Sequence, residues 1–213
     1  MDYIIATTSY ILSGASLTLG LCAVTVAGAV PLSILCALGR VSGPKVIGRA
    51  LAIYAWIFRG TPLLLQLFFI YYGLSIFGFN LPPFTAAGLT FILNYTAYMM
   101  EIFRAGIQSV DRGQYEAAKA LNLTYWQTMR RIVLPQALKQ SLPPSCNEAI
   151  SLLKDTALVI VIGMGDLLRC AQEVFTRDFR ITPFILAAII YLLLTSAIIA
   201  FFRQLEKKLE VYN

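Results

Sequence analysis

Histidine is absent from the 213-residue sequence, and its four cysteines (Cys22, Cys36, Cys146, Cys170) show no Cys-x-x-Cys spacing. Together these absences argue against a metal site and against the disulfide framework of a small secreted domain. Charge is scarce as well. Asp, Glu, Lys and Arg make up 13% of the residues, and whole stretches lack them: between Asp2 and Arg40, between Arg59 and Glu101, and between Arg180 and Arg203. Each gap can hold a span of about 20 apolar residues. With 58% hydrophobic residues and a mean hydropathy of +0.72, the chain cannot be a compact water-soluble enzyme. The N-terminus has neither the basic region nor the small-residue cleavage pattern of a secretory signal, so the first apolar stretch is expected to stay in the mature protein. No G-x-x-x-x-G-K-[ST] phosphate loop occurs, so no nucleotide hydrolysis and no catalytic residues are assigned to this chain.

What is present reads as an all-α integral membrane protein with five transmembrane helices. The first charge-free stretch would be roughly 55 Å long as one helix, far beyond a hydrocarbon core of about 30 Å. The Ser13, Gly14, Ser16 cluster marks a boundary, leaving residues 3–12 as an interfacial segment and 17–38 as the first span, with Pro31 as a candidate kink. The second stretch is split by the turn chemistry of residues 78–83 into spans at 60–77 and 84–104. Arg59 then falls at the membrane surface behind a lead-in segment at 51–58, a reading favoured over a buried Arg59 because a central arginine is costly. The fourth and fifth spans are expected at 142–168 and 182–202.

The formal charge of +6 invites a nucleic-acid reading until the basic residues are sorted by loop. Arg40, Lys45 and Arg49 fall in the first loop; Arg104, Arg112, Lys119, Arg130, Arg131 and Lys139 in the third; Arg203, Lys207 and Lys208 at the C-terminus. The positive-inside rule makes these segments cytoplasmic, the C-terminus included, and puts the N-terminus outside. The basic excess is accounted for by topology, with no nucleic-acid partner.

The cytoplasmic loop at 111–141 is the one long polar stretch, and it reads as two short helices. Glu116-Ala117-Ala118-Lys119-Ala120-Leu121 are strong helix formers, and Asn122 tolerates the left-handed conformation found just past a helix end. Thr124 and Gln127 have the spacing of a capping box, and Pro135 is expected to limit the second helix. Glu116-Ala117-Ala118, Leu121, Ile132, Leu134 and Pro135 resemble the EAA loop of the transmembrane subunits of type I ABC importers, whose pattern is EAA-x-x-x-G followed by I-x-L-P. Gly14 with Thr18-Leu19, Arg59-Gly60-Thr61-Pro62-Leu63 with Gln66-Leu67, the stretches at 94–101 and 104–107, Gly113-Gln114 and Lys154-Asp155-Thr156 are similar to the polar-amino-acid branch, so the resemblance covers nearly the whole chain. One departure is Asn122 where the family has Gly, and both residues can take the same backbone region.

The resemblance implies a permease subunit in the cytoplasmic (inner) membrane of a bacterium, paired with an identical or homologous subunit. It further implies a cytoplasmic ABC ATPase dimer beneath and an extracytoplasmic amino-acid-binding protein above. No cofactor is expected on this chain, ATP and Mg being held by the ATPases. Glu116, Ala117, Ala118, Leu121, Asn122, Leu134 and Pro135 would form the coupling element. The small alanines allow close approach, and Glu116 offers a carboxylate to the partner's donors.

Inside the spans, Asn94, Tyr98 and Glu101 share one helical face, as do Asn147, Ser151, Lys154 and Asp155, with Glu148 beside them. Polar residues at such depth face a bundle interior or a watered cavity. Two readings stay open: a translocation pathway touching the ammonium and carboxylate of an amino acid, or helix-to-helix ties. Arg59-Gly60-Thr61-Pro62 reads as a hinge or elbow, with Pro62 removing a donor and Gly60 permitting an unusual turn. Phe68, Phe69, Tyr71 and Tyr72 read as an interfacial aromatic belt. An ion-gradient-driven secondary transporter would call for internal repeats, and none is evident. A scaffold role would leave the polar faces without a function. Within the importer reading, an amine or opine is the alternative cargo.

Overall fold

The structure, a computed structural model, describes residues 2–210. Its regular elements there are helices: α1 (Asp2–Ser13), α2 (Ala15–Ser42), α3 (Lys45–Gly60), α4 (Leu63–Phe68), α5 (Pro83–Gln108), α6 (Arg112–Ala120), α7 (Tyr125–Thr128), α8 (Leu134–Asp155), α9 (Leu167–Asp178) and α10 (Thr182–Glu210). α4 continues through a π turn at Phe69–Gly73 to Leu74–Ile76.

α5 is the centre of the bundle. It packs along α2 on one side and α8 on the other, and α8 in turn meets α10. Its buried face runs through Ala87, Phe91, Tyr95 and Met100, joined in the core by Leu21 and Ala29 of α2, Leu67 of α4 and Leu152 of α8. At Gly106 α5 crosses α8 so closely that a Cβ would lie 2.3 Å from Ser141 Oγ and 2.7 Å from the Ala137 carbonyl oxygen. Two described helical stretches are long and apolar enough to cross a membrane, Asp2–Ser42 and Thr182–Lys208, and the bent pair Lys45–Gly60 and Leu63–Ile76 adds a third if taken as one span. α5 and α8 are more polar because their inward faces carry the side chains described below.

One expectation holds in part and three are corrected. The boundary at Ser13, Gly14 and Ser16 is present as the junction of α1 and α2, but it does not bend the chain: Gly14 keeps helical angles (φ −71°, ψ −15°), and the two helices run on as one apolar stretch of 41 residues. Ser13 Oγ and Ser16 Oγ donate to the carbonyls of Tyr10 and Ser13, so both hydroxyls are satisfied within the helix. Gly14 is small for another reason, since a Cβ there would meet the Asp166 carbonyl at 2.6 Å.

The expected helix over 142–168 is instead α8, which starts earlier and ends at Asp155. A tighter 3₁₀ segment, Thr156–Ile162, follows; the chain turns through Gly163 at φ 81°; and Asp166 then caps α9 by accepting from the amides of Leu168 (3.1 Å) and Arg169 (2.9 Å). A buried cap of this kind starts a new helix where a continuous span was expected. Pro135, third, does not limit the second loop helix. The chain stays helical from Tyr125 to Asp155 because a π turn at Met129–Val133 precedes the proline, with the Leu134 amide reaching the Met129 carbonyl. Last, Gly60 is not an unusual turn. It ends α3 with no positive φ, and the corner is made by Thr61 (φ −120°, ψ 146°) and Pro62 (φ −61°, ψ 135°), both extended. The span therefore begins at Leu63, after a bend of 103°, and not at residue 60.

Candidate functional site

The hairpin below the bundle is held by local chemistry. Asp111 caps α6, its carboxylate accepting from the Gly113 amide at 2.7 Å. At the other end Asn122 takes φ 54°, its amide donating to the Lys119 carbonyl and that of Leu123 to the Ala118 carbonyl, each at 3.0 Å. This crossed pair is the Schellman closure of a helix, with Asn in the position glycine usually holds. Thr124 and Gln127 complete a reciprocal capping box, and α7 follows. The hairpin rests on α2 and α5 through Val110, Met129 and Val133, with Ile107, Ala137, Val41 and Tyr115 around them. Ala118 is turned inward and buried, while Glu116, Ala117, Ala120 and Asn122 are exposed and Leu121 is 72% exposed. Leu134 is half-buried at the start of α8 and Pro135 exposed. Trp126, 72% exposed beside Tyr125, enlarges the apolar part of this surface. Only an exposed tryptophan in a polar loop could have pointed to it from the sequence.

At the elbow the structure brings α3, α4 and α5 together. Gln66 Nε2 donates to the Phe58 carbonyl (2.9 Å), the Thr61 carbonyl (3.1 Å) and Thr61 Oγ1 (2.8 Å). Gln66 Oε1 accepts from Asn94 Nδ2 at 2.9 Å, and the same Asn94 amide reaches the Phe58 carbonyl at 3.2 Å. Both amides are buried. The carbonyls left without helical partners at the corner are thus satisfied by two side chains, as a low-dielectric surrounding demands. Arg59 lies with its guanidinium carbon 5.4 Å from the centre of the Tyr98 ring, and Tyr98 Oη donates to the Arg59 carbonyl at 3.4 Å.

Glu101 ties helices together. It pairs with Arg40 at the end of α2, and it accepts from Arg104 Nε (2.9 Å) and Nη2 (2.7 Å) on its own helix. Asp155 is likewise engaged, accepting from Tyr95 Oη at 2.8 Å. Asn147 and Lys154 are exposed and Ser151 half-buried, and none of the three has a side-chain hydrogen bond or ion pair among the described residues. The seven candidate pathway residues therefore do not converge. Tyr98 and Glu101 line a polar cleft of about 520 Å³ between α5 and α8, whose other walls include Arg59, Arg104, Gln140, Pro144 and Glu148. Asn94, Asn147, Ser151, Lys154 and Asp155 lie outside it. Among the described residues no cluster of His, Cys, Asp or Glu could hold a metal ion.

Apolar helices long enough to cross a membrane, packed around a polar cleft and standing on a capped helical hairpin, fit a membrane transport component. The chain belongs to the family of binding-protein-dependent transport system inner membrane components, which matches residues 29–211. It is 36% identical over 205 residues to the glutamine transport system permease protein GlnP of Escherichia coli (strain K12), covering 94% of this chain and 93% of the relative. It is 38% identical over 203 residues to the arginine transport system permease protein ArtQ of Bacillus subtilis (strain 168), with 94% and 93% covered. Among solved structures, a crystal structure of an amino acid ABC transporter with histidines superposes with a TM-score of 0.89 at 40% identity, covering 97% of each chain.

Proposed function

We propose that this chain is the permease subunit of an ATP-driven importer of polar amino acids in a bacterial cytoplasmic membrane. The cargo class rests on its likeness to glutamine and arginine permeases. The spans α2, α4 with its continuation, α5, α8 and α10 run with the N-terminus outside and the C-terminus in the cytoplasm, as the distribution of basic residues favours. Two such subunits, identical or homologous, enclose the pathway. A binding protein delivers cargo from outside, and a pair of ABC ATPases beneath holds ATP and Mg; the chain itself carries no cofactor.

The observation that carries the coupling reading is the shape of α6. Its two ends are fixed by Asp111 and Asn122, and it presents Glu116, Ala117, Ala120 and Leu121 outward from a base packed on α2 and α5. A rigid helix of small residues with one carboxylate suits insertion into a cleft on a partner, whose closure on ATP would move α5 and α8 as α6 moves. Alternating access then follows as a shift between two packed arrangements. The test is affinity purification from native membranes in mild detergent with identification of the companions, followed by uptake and hydrolysis assays of Glu116→Lys. Co-purification of an ATPase carrying a phosphate loop is expected, with normal membrane insertion but lost uptake in the variant, because the reversed charge meets the same partner groups. Full uptake by Glu116→Lys would sink the coupling reading.

A further inference from the structure

A second cavity, of about 530 Å³, lies between α2, α5, α8 and α10, and unlike the polar cleft its walls are almost wholly apolar. Leu194, Ile198 and Phe202 of α10 form one side and Leu19 and Val26 of α2 the other, with Leu152 of α8 at the back. Two of its few polar side chains are already engaged: Ser145 Oγ donates to the Ser141 carbonyl at 2.7 Å, and Tyr95 Oη to Asp155 at 2.8 Å. An empty space of this size forfeits dispersion contacts for every atom that lines it. The walls call for an apolar occupant.

Ala23, Ala197 and Phe201, also on its walls, are exposed, so the cavity is a groove open at the surface between α2 and α10. On α8 it is bordered by Ser145, Ala149 and Leu152, which at 3.6 residues per turn lie about half a turn around the helix from Asn147, Ser151 and Lys154. The groove therefore faces away from the polar strip of α8. α10 is apolar on its far side as well, Leu192 being 66% and Leu193 64% exposed, as suits a helix surrounded by lipid. Charge then selects among apolar occupants. Arg203 follows Phe202 directly, Lys207 stands four residues on along the same face, and Lys208 is next; between 203 and 208 only Glu206 offsets them. Arg203 is within electrostatic reach of Cys146, the neighbour of Ser145 on the groove wall. None of the three cations has an ion pair or a side-chain hydrogen bond among the described residues. An apolar slot that ends in unpaired cations is complementary to an amphiphile with a negative headgroup.

We propose that this groove holds an acyl chain of an anionic phospholipid from the cytoplasmic leaflet, with the phosphate at Arg203 and Lys207. From Phe202 to Leu194 α10 rises about 12 Å, and the chain lies along that length against Ile198 and Leu152, filling the space that α10 leaves beside α2. The lipid takes the place of direct helix packing there. The site is independent of any cargo and needs only the orientation that the basic residues favour, with the end of α10 in the cytoplasm.

The test is native mass spectrometry of the protein purified from its own membrane with the companions that stay bound, stripped of lipid by detergent exchange. It is then titrated with palmitoyl-oleoyl phosphatidylglycerol or with the phosphatidylcholine of the same chains. Lipid is read as mass added to this subunit after its release, so the outcome does not depend on the importer reading. Phosphatidylglycerol is expected to bind about tenfold or more tightly than phosphatidylcholine. Arg203→Gln/Lys207→Gln should abolish that preference and leave phosphatidylcholine binding unchanged. Ala197→Phe starts from an exposed position, places a ring in the groove and should weaken both lipids by about tenfold or more. Ala23→Phe, from the opposite rim, blocks the groove independently, so a folding failure of one variant leaves the other to decide. Equal binding of the two lipids by the wild-type protein, or wild-type binding of phosphatidylglycerol by a folded blocked variant, would overturn the proposal. So would loss of bound subunits from the blocked variants with lipid binding unaltered, which would put a protein helix in the groove.

Discussion

Replacing Asn94 by leucine separates its two possible duties, contact with cargo and bracing of the elbow. The substitution deletes two hydrogen bonds, to Gln66 Oε1 (2.9 Å) and to the Phe58 carbonyl (3.2 Å), at a site 5% exposed. Each is worth about 1 kcal/mol net, and the loss leaves Gln66 Oε1 buried without a partner, costing about 1–3 kcal/mol more. The Phe58 carbonyl keeps Gln66 Nε2 and adds no such penalty. Leucine's apolar contacts return about 1–2 kcal/mol. A net loss of about 2–3 kcal/mol follows, to be measured by sodium dodecyl sulfate titration in mixed micelles with tryptophan fluorescence as the readout. The double variant Asn94→Leu/Gln66→Met removes the orphaned acceptor as well, so it should be less destabilised than the two single changes combined, by about 1–2 kcal/mol. An Asn94→Leu protein as stable as wild type but unable to transport would refute the bracing argument and restore Asn94 to the pathway.

Gly106→Leu drives a side chain into Ser141 and the backbone of Ala137, where even a Cβ has 2.3 and 2.7 Å. It should cost about 1–3 kcal/mol in the same titration or abolish assembly, whereas Ala105→Leu, at the exposed position just before it, should be tolerated. Asn122→Gly should leave hairpin stability and uptake unchanged, while Asn122→Val forces a β-branched residue to φ 54° and should lower uptake with the membrane spans intact, read by transport against surface expression. Glu173 accepts from Tyr10 Oη at 2.6 Å and from Arg169 Nε at 2.9 Å, and these bonds hold its carboxyl below the ordinary value of 4.5. A depressed pKa in the folded state means the contribution is whole above 4.5 and fades as pH falls through the lowered value. Because Glu173 is exposed the effect should be well under about 1 kcal/mol, weaker in high salt, and missing from Glu173→Gln in unfolding measured from pH 7 to 3.5.

The hairpin was legible residue by residue because its structure is local. The stop at Asn122 and the Thr124–Gln127 box depend on chemistry within four residues, and both are present. The corner at Thr61–Pro62 was legible for the same reason, although Gly60 was wrongly given a part in it. The end of α8 at Asp155 was not. Residues 156–162 are as apolar as a span, and hydropathy does not separate a 3₁₀ segment from an α-helix; the one local cue was Asp166, a strong capping residue three positions after Gly163. The destination of the Asn94 face was hidden too. Helical spacing puts Asn94, Tyr98 and Glu101 on one side, but it cannot say that Gln66, 28 residues earlier and beyond a sharp bend, stands opposite.

A polar side chain inside an apolar bundle is explained once its partners are known, so the structure sorts such residues into those engaged by the fold and those that are not. Asn94, Gln66, Glu101, Arg104 and Asp155 each have partners on neighbouring helices or within their own, and changing them should first cost stability. Arg59, Glu148, Asn147, Ser151 and Lys154 find no side-chain hydrogen bond or ion pair among the described residues. Of these, Arg59 and Glu148 share the cleft, whereas Asn147, Ser151 and Lys154 lie on α8 outside it. In the proposed pair, a second subunit laid against that part of α8 would supply partners for the three, and substitutions at Asn147 or Lys154 should therefore weaken pairing of the subunits.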